Sequence, residues 1–241
     1  MNDTASRLVG ITRELSDRLD GLTFSSPVDR VYNPLDYARQ PHEQYLRRYA
    51  RRGVEAVLIG MNPGPWGMAQ TGVPFGEVSL VRDWLAIDGE VLRPATEHPK
   101  KPVSGFACRR SEVSGRRLWG TIRARFDTPD RFFSGFFVLN YCPLLFVGPS
   151  GGNLTPDKLA RAEREPLLAE CNQGLRRMIK ELEPTMVIGV GGFAEEQART
   201  ALAGLPLRFG RILHPSPANP AANRDWEGTV IKQLAELGIC W

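Results

Sequence analysis

The sequence predicts an α/β protein, a three-layer α/β/α sandwich around a central, mainly parallel four-stranded sheet. Two observations carry this prediction. Four short runs rich in apolar and β-branched residues alternate along the chain with segments of helical periodicity. Each run is apolar at successive positions rather than at alternate ones, which is typical of a strand covered on both faces of its sheet.

The four predicted strands are bounded by turn residues and span 54–60, 136–141, 185–190 and 207–213. In a parallel sheet covered on both faces, ligands bind in loops at the carboxyl ends of the strands. Unusual polar residues stand there: Asn62 after the first strand, Asn140 at the end of the second and His214 after the fourth. The sequence therefore predicts that these three side chains meet at one edge of the sheet.

Helical patterns precede, separate and follow the strands. The first helix, 4–21, repeats leucine and isoleucine at helical spacing, and the proline-containing segment 22–41 reads as an extended or irregular arm. Further helices are predicted at 42–52, 78–87, 114–126, 156–183, 192–203 and 226–237. Because no flexible or charged linker divides the chain, we expect one domain over 1–241, with 1–41 as an N-terminal helix and arm packed on it.

Composition narrows the classes of function. A net charge of +4 and a pI of about 9.0 suit a partner that carries phosphates. The four cysteines match no zinc or iron–sulfur spacing, and neither a signal peptide nor a run long enough to cross a membrane is visible. We therefore expect a cytoplasmic protein, nucleoid-associated if its source is bacterial, with no membrane or metal partner.

The loop after the first strand is the most distinctive segment. It reads GMNPGPWGMAQTGVPFG over residues 60–76, and its prolines and glycines make it rigid while allowing close approach of a ligand. A tight surface loop is the plain interpretation of such a segment. Its length and its asparagine, methionine and phenylalanine residues favour instead a binding site for a small planar ligand. No Gly-Lys-Ser/Thr follows, which excludes a phosphate loop.

Two weaker signals lie at other strand ends. The segment HPSPANP, residues 214–220, is stiffened by prolines at alternate positions, as suits a segment that presses into a DNA groove. A lone histidine such as His214 is otherwise commonly structural. Asn140 offers one acceptor and two donors that can match the O4 and N3–H edge of uracil, although an asparagine at a strand end more often caps a turn.

Together these segments resemble the uracil-DNA glycosylase superfamily, most closely its single-strand-selective monofunctional branch. GMNPGPWGMAQTGVPFG is the specific part, with Trp66 where relatives often carry Phe. FFVLNYCPL and HPSPANP are similar to the second and third family blocks, and the resemblance extends from about 54 to 230. It implies hydrolysis, without a cofactor, of the N-glycosidic bond of uracil and related bases such as 5-hydroxymethyluracil and xanthine, in single- and double-stranded DNA, initiating base excision repair.

The resemblance also implies a role for each matched position. Asn62 and His214 would be catalytic, Asn62 by holding the attacking water and His214 by donating a hydrogen bond to uracil O2. Phe75 would stack on the flipped base and Asn140 would read its Watson–Crick edge. Space around C5 of the base would come from Gly64 and Met68. The remaining base-binding residues that it implies are Gly60 and Met61.

DNA contacts are expected from the loop after His214 and from basic residues between the motifs. The loop contributes Pro215, Ser216, Pro217, Ala218 and Asn219. Relatives often carry a wedge-forming arginine where this chain has Ala218, so Arg224 is a candidate replacement. The densest basic cluster comprises Lys100, Lys101, Arg109, Arg110, Arg116 and Arg117, with Trp119 nearby. A solvated helix face and loop is the alternative interpretation of that cluster.

The residues also indicate a mechanism. The Asn62 amide cannot accept a proton at ordinary pH, so we expect it to position water after departure of the base is well advanced. No lysine lies in the matched motifs, so we expect neither a Schiff base nor strand cleavage. Two other functions stay open: a non-catalytic protein that binds damaged or single-stranded DNA, and a hydrolase of free nucleosides or nucleotides. A monomer is the simplest expectation for the assembly.

Overall fold

The structure is a computed structural model that describes residues 3–241. Its helices are α1 (Asp3–Asp20), α2 (Pro34–Tyr37), α3 (Arg39–Tyr49), α4 (Met68–Thr71), α5 (Val113–Phe126), α6 (Pro129–Phe133), α7 (Arg161–Leu182), α8 (Gly192–Ala201) and α9 (Pro220–Glu236). Its strands are β1 (Arg30–Tyr32), β2 (Ala56–Gly60), β3 (Phe136–Asn140), β4 (Leu145–Val147), β5 (Asn153–Leu154), β6 (Met186–Val190) and β7 (Arg208–Ile212).

The centre of the fold is a four-stranded sheet of order β3–β2–β6–β7, in which each neighbouring pair is parallel. Every residue of β2, β3 and β6 is buried, because helices cover both faces of these strands. The predicted fold class and its four strands are confirmed. Strand register places Gly60 opposite Asn140, so the ends of β2 and β3 lie side by side at the carboxyl edge of the sheet.

A second, antiparallel sheet of order β1–β4–β5 was not predicted. Its first strand lies in the segment 22–41, which was predicted as an extended or irregular arm; the extended backbone is found at β1, but its pairing with β4 was not predicted. The same segment holds α2, whose first turn is capped by the Asn33 side chain, which accepts from the Leu35 N–H at 3.2 Å, with Pro34 at the first helical position. Helix α3 then begins at Arg39 rather than at residue 42.

Two other helix predictions need correction, and one helix was missed. The predicted helix at 78–87 is shorter, with helical residues at 78–79 that continue as a π-helical turn over Leu80–Trp84, and the short helix α6 was not predicted. The last helix begins at Pro220 rather than at 226, because the Asn219 side chain caps it, and it is kinked at Asp225. Within residues 3–241 no helix is both long and apolar enough to cross a bilayer.

Helix α5 connects the core to the glycine-rich loop. Its Trp119 is completely buried and donates from Nε1 to the carbonyl oxygen of Pro74 at 3.0 Å. The indole is therefore a core anchor that fixes the backbone just before Phe75. Trp119, which the sequence places near the basic cluster, is therefore not part of an exposed surface.

Candidate active site

A cavity of about 270 Å³ opens at the carboxyl end of the central sheet. Ligand pockets commonly measure roughly 300–1,000 Å³, so this volume suits one small ring rather than a whole nucleotide. All three predicted segments contribute to its wall, as do segments that were not predicted. The lining residues are Met61, Asn62, Gly64, Pro65, Met68, Phe75, Glu112, Ser114, Asn140, Asn153, Thr155, His214, Ser216 and Pro217.

Asn62 lies two residues beyond β2, and its amide is oriented by the backbone of a neighbouring segment. Nδ2 donates to the carbonyl oxygen of Leu144 at 3.3 Å. Its Oδ1 has no donor among the described residues. Because an amide oxygen is a hydrogen-bond acceptor, it can hold a water molecule in the cavity without taking its proton.

Asn140 is 8% exposed and stands at the end of β3. Its Nδ2 donates to the sulfur of Met68 at 3.1 Å, and its Oδ1 is buried with no hydrogen-bond partner in residues 3–241. Leaving a buried acceptor unpaired costs about 1–3 kcal/mol. An acceptor left open at a cavity wall therefore indicates a ligand that brings its own N–H donor.

Gly60 does not line the cavity but makes room for two residues that do. A Cβ on Gly60 would lie 2.3 Å from Asn140 Oδ1 and 2.5 Å from Cε2 of Phe75. Phe75 itself has a φ of +54°, a conformation that non-glycine residues rarely adopt and that is commonly kept at functional sites. Its backbone oxygen packs so closely on α5 that a Cβ on Gly115 would lie 2.0 Å from it.

His214 follows β7 and forms the wall beside Phe75, with 6.3 Å between the two ring centroids. The Ser216 N–H donates to His214 Nδ1 at 3.1 Å, so Nδ1 is unprotonated and the neutral ring carries its hydrogen on Nε2. Burial lowers the pKa of His214, which favours the same neutral state. The site thus contains a neutral N–H donor rather than a cation.

The loop after His214 is held by α5. Arg117 donates to the carbonyl oxygen of Pro215 at 2.8 Å and to Asn223 Oδ1 at 2.9 Å, and Asn223 donates to the carbonyl oxygen of Pro217 at 2.8 Å. Arg117 is therefore occupied inside the protein. The buried Pro215 supports the loop, so its predicted place on a DNA-facing surface is wrong.

Other predicted loop residues differ in their exposure. Ser216 and Pro217 line the cavity, whereas Asn219 uses its side chain to accept from the Ala221 N–H at 3.1 Å. Ala218 is exposed. Arg224 is also exposed and has no ion-pair partner among the described residues. These two positions are free to meet DNA.

A second cleft of about 690 Å³ is lined by Trp66 and by four of the predicted basic residues. Lys101 Nζ lies 4.8 Å and Arg110 Cζ 4.4 Å from the centroid of the Trp66 ring, within cation–π range. Lys100 and Arg109 complete the set. None of the four forms a salt bridge with a described residue, although the charge of Glu112 acts on Lys101. The predicted six-residue cluster is wrong in extent, because Arg116 and Arg117 line a separate depression beside Trp226.

Sequence reasoning missed four residues of the cavity wall: Glu112, Ser114, Asn153 and Thr155. Asn153 and Thr155 lie at β5 of the small sheet, and Glu112 immediately precedes α5. Glu112 Oε2 accepts from the Trp66 N–H at 3.2 Å, and burial raises the pKa of this carboxyl. Glu112, Asn153 and Thr155 lie in no periodic pattern or motif, and Ser114 was predicted only as the start of a helix, so the sequence alone held no signal that these residues face the cavity.

Comparison with known proteins agrees with this geometry. The family model described as Uracil DNA glycosylase superfamily matches residues 47–235, well over half of the chain. The chain belongs to the uracil-DNA glycosylase superfamily. A single-strand selective monofunctional uracil-DNA glycosylase from Rattus norvegicus is 52% identical over 227 residues, covering 93% of this chain and 82% of its own length. The bovine protein of the same name is 50% identical, covering 93% and 84%.

A solved structure agrees at the level of the fold. SMUG2 from Pedobacter heparinus superposes with a TM-score of 0.71 over 99% of this chain and 98% of its own, at 19% identity. The predicted resemblance to the uracil-DNA glycosylase superfamily and to its monofunctional branch is confirmed. Among the described residues, no group of three or more histidine, cysteine or acidic side chains could hold a metal ion.

Proposed function

We propose that this protein is a monofunctional uracil-DNA glycosylase, which hydrolyses the bond between uracil and its deoxyribose and leaves an abasic site as the start of base excision repair. The observation that carries the proposal is the buried, unpaired Oδ1 of Asn140, in the same small cavity as the neutral donor His214. A pyrimidine with an N3–H and two carbonyl oxygens complements both groups.

Recognition of the base follows from the Asn140 amide. Its Oδ1 accepts from N3–H of uracil and its Nδ2 donates to O4, replacing the sulfur of Met68 as partner. Cytosine is rejected, because its N3 is an acceptor that would face Oδ1. Extrusion of the base from the stack costs a few kcal/mol, and stacking on Phe75 returns roughly 1–3 kcal/mol.

Cleavage is dissociative in this proposal. The C1′–N1 bond breaks with its electron pair going to the base, and His214 Nε2–H donates to O2 as negative charge grows there. One donor of this kind is worth about 2.7–4 kcal/mol. Asn62 Oδ1 holds the water whose oxygen then bonds to C1′, and the water's proton ends on the released base. No lysine lines the cavity, which supports hydrolysis without strand cleavage.

DNA binding would use the cleft of Trp66, Lys100, Lys101, Arg109 and Arg110 for backbone phosphates. Ala218 and Arg224 would meet the strand beside the extruded base. We extend the proposal to 5-hydroxymethyluracil and xanthine, and to both single- and double-stranded DNA, on the resemblance of the glycine-rich loop to that of the monofunctional branch. A monomer without metal or cofactor stays a prediction, as does the cellular compartment.

The test uses a labelled oligonucleotide with one uracil, single-stranded and in duplex, assayed with and without alkali. Strand breaks only after alkali, slowed about 100-fold or more in Asn62→Ala and His214→Ala, are expected. Arg125→Ala, at the far end of α5, is the matched control and should retain wild-type activity. Trapping of a covalent adduct by borohydride would contradict the monofunctional assignment.

Two other results would change the proposal itself. Uracil-dependent binding without any product would indicate a protein that senses damaged DNA and does not cleave it. Cleavage of free deoxyuridine that uracil-free DNA does not inhibit would indicate a nucleoside hydrolase, since such an enzyme has no DNA site to occupy.

A further inference from the structure

Trp66 differs from the other tryptophans, because neither cluster of buried apolar side chains in residues 3–241 includes its ring or packs against it. Three other indoles, those of Trp84, Trp119 and Trp226, donate from Nε1 to a backbone carbonyl oxygen. Trp66 Nε1 has no acceptor among the described residues, and its ring is partly exposed in the cleft of about 690 Å³. Packing of the core therefore does not explain a large aromatic side chain at this position.

The lysine wall of this cleft is held rigidly by the rest of the protein. The Tyr32 hydroxyl accepts from the His98 N–H and donates to the Lys101 carbonyl oxygen, each at 2.7 Å. His98 Nδ1 accepts from the Lys100 N–H, and its Nε2 donates to the carbonyl oxygen of Pro149, each at 3.1 Å. The backbone of both lysines is thus ordered before a ligand arrives, which reduces the cost of binding one.

Two cations share the Trp66 ring, and one of them is free to leave it. Lys101 Nζ lies 4.8 Å and Arg110 Cζ 4.4 Å from the ring centroid. Burial and the charge of Arg110 lower the pKa of Lys101, whereas Glu112 raises it, so the two cations repel each other. The Arg110 side chain is exposed and forms neither an ion pair nor a hydrogen bond with a described residue. An anion beside the ring would relieve the repulsion between the cations.

The cleft and the base cavity adjoin each other, because two chain segments contribute to the walls of both. In the glycine-rich loop, Pro65 lines the cavity and its neighbour Trp66 lines the cleft. In the turn that leads into β5, Gly151 lines the cleft, and Asn153 lines the cavity. A DNA strand with one base in the cavity therefore has a neighbouring nucleotide at the cleft.

We propose that the Trp66 cleft is a second nucleobase site, which stacks an unpaired base next to the extruded uracil in single-stranded DNA. This inference rests on the proposed function. The base replaces Arg110 on the indole face, and the freed guanidinium binds an adjoining phosphate together with Lys101. Stacking on an aromatic ring raises affinity about 5- to 150-fold per base, whereas an exposed cation–π contact is worth only about two- to fivefold. A base inside a duplex is excluded, since its neighbours in the stack cover its faces.

The test measures affinity for a single-stranded oligonucleotide with one central uracil. A 2′-fluorine on that nucleotide keeps the glycosidic bond intact, because it destabilises the cation-like sugar. In a series of oligonucleotides, one flanking nucleotide at a time is replaced by an abasic tetrahydrofuran residue. The wild type should bind about tenfold more weakly when one particular base beside the uracil is removed. Trp66→Leu should bind the intact strand about tenfold more weakly, and removal of that base should weaken it no further.

Two further variants separate stacking from loop packing. Trp66→Phe keeps an aromatic face and should retain the dependence on the flanking base. Phe209→Leu is the matched control, because this partly buried ring also lies beneath an arginine, with Arg199 Cζ at 5.0 Å, but lines neither the cleft nor the cavity. It should bind like the wild type. A duplex with the same uracil should bind wild type and Trp66→Leu equally, and thermal unfolding would verify the fold of each variant.

Excision of unmodified uracil, measured alongside, separates this inference from the proposed function. A wild type that excises uracil but loses the same affinity as Trp66→Leu when each flanking base is removed would overturn the second base site and leave the glycosylase intact. Equal weakening of Trp66→Leu on single strand and duplex would also overturn it, since Trp66 would then only support its loop. A wild type that neither excises uracil nor prefers DNA that contains it would refute the proposed function, and with it this inference.

Discussion

His214 is kept neutral by two independent features of its surroundings. Burial lowers its pKa, and the Ser216 N–H occupies Nδ1, the nitrogen that a second proton would need. Protonation would therefore cost both a desolvated charge and a hydrogen bond in the loop. A neutral imidazole can still stabilise the departing uracil anion through Nε2–H, so the neutral state is the active one in the proposed mechanism.

The pH dependence of excision follows from this state. An ordinary histidine becomes charged as the pH falls through about 6.5. Because the pKa of His214 is lowered, its ring stays neutral to lower pH, and the single-turnover rate on uracil should begin to fall only below that value. Burial raises the pKa of Glu112, so this carboxyl also gains its proton on the acid side. In Glu112→Gln only the fall in rate that comes from protonation of His214 should remain. A wild-type rate that already declines above pH 6.5 would contradict the prediction.

Gly60 gives a second prediction, because its missing side chain positions two others. In Gly60→Ala the new Cβ would collide with Asn140 and Phe75, and displacement of reacting groups by about 1 Å can cost on the order of 100-fold in rate. Uracil excision should fall by that factor. Gly10→Ala is the control, since its Cβ meets nothing within 4 Å in α1; it should keep full activity and unfold at a slightly higher temperature. A fully active Gly60→Ala variant would contradict the close packing of Gly60 against Asn140 and Phe75.

Asn62, Asn140 and His214 could be predicted from sequence because parallel strands bring their carboxyl ends to one edge. The orientation of each side chain could not, since it depends on distant partners such as Leu144 for Asn62. Glu112 could not be predicted at all. It enters the cavity because two glycines of a different segment leave space for its carboxyl, a match that appears only after folding.

At the level of elements, the long apolar strands were predictable and the small sheet was not. Strands β1, β4 and β5 have three, three and two residues, too few to establish a period. Yet β5 brings Asn153 to the cavity wall. The Asn33-Pro34 pair did hold a readable helix-start signal, an N-cap followed by proline, in the segment interpreted as an extended or irregular arm.

Helix α5 holds the loop that follows His214 through the side chain of Arg117, and a substitution at Arg117 tests this contact. In Arg117→Ala the carbonyl oxygen of Pro215 and the side chain of Asn223 lose their shared partner. A charge-assisted hydrogen bond is worth roughly 1.5–3 kcal/mol, so excision should slow at least about tenfold, and hydrogen exchange at Ser216 and Ala218 should accelerate. The exposed neighbour substitution Arg116→Ala should change neither measurement. Unaltered exchange in Arg117→Ala would contradict the role of this guanidinium.

The whole molecule combines one core with an uneven distribution of free charge. A single cluster of buried side chains includes residues from Ala5 to Ile239, and we keep the proposal of one domain on that ground. Many surface arginines are paired with carboxylates, such as Arg13 with Glu43 at 2.6 Å. The cations around Trp66 form no such close ion pair among the described residues, and only Lys101 feels a nearby carboxylate, that of Glu112, so most of their field is available to a polyanion.

This distribution predicts how binding responds to salt. If Arg109 and Arg110 each neutralise one phosphate, replacing both with alanine should reduce the slope of log K against log salt by about 1.4 on single-stranded DNA, since each contact contributes about 0.7. Arg123 and Arg125 form no salt bridge among the described residues, but they lie in the last turn of α5, about 15 and 18 Å along the helix axis from its first residue, Val113. Their double alanine variant loses the same net charge and should retain the wild-type slope. Equal slopes for the two double variants would mean that DNA responds to total charge rather than to the Trp66 cleft.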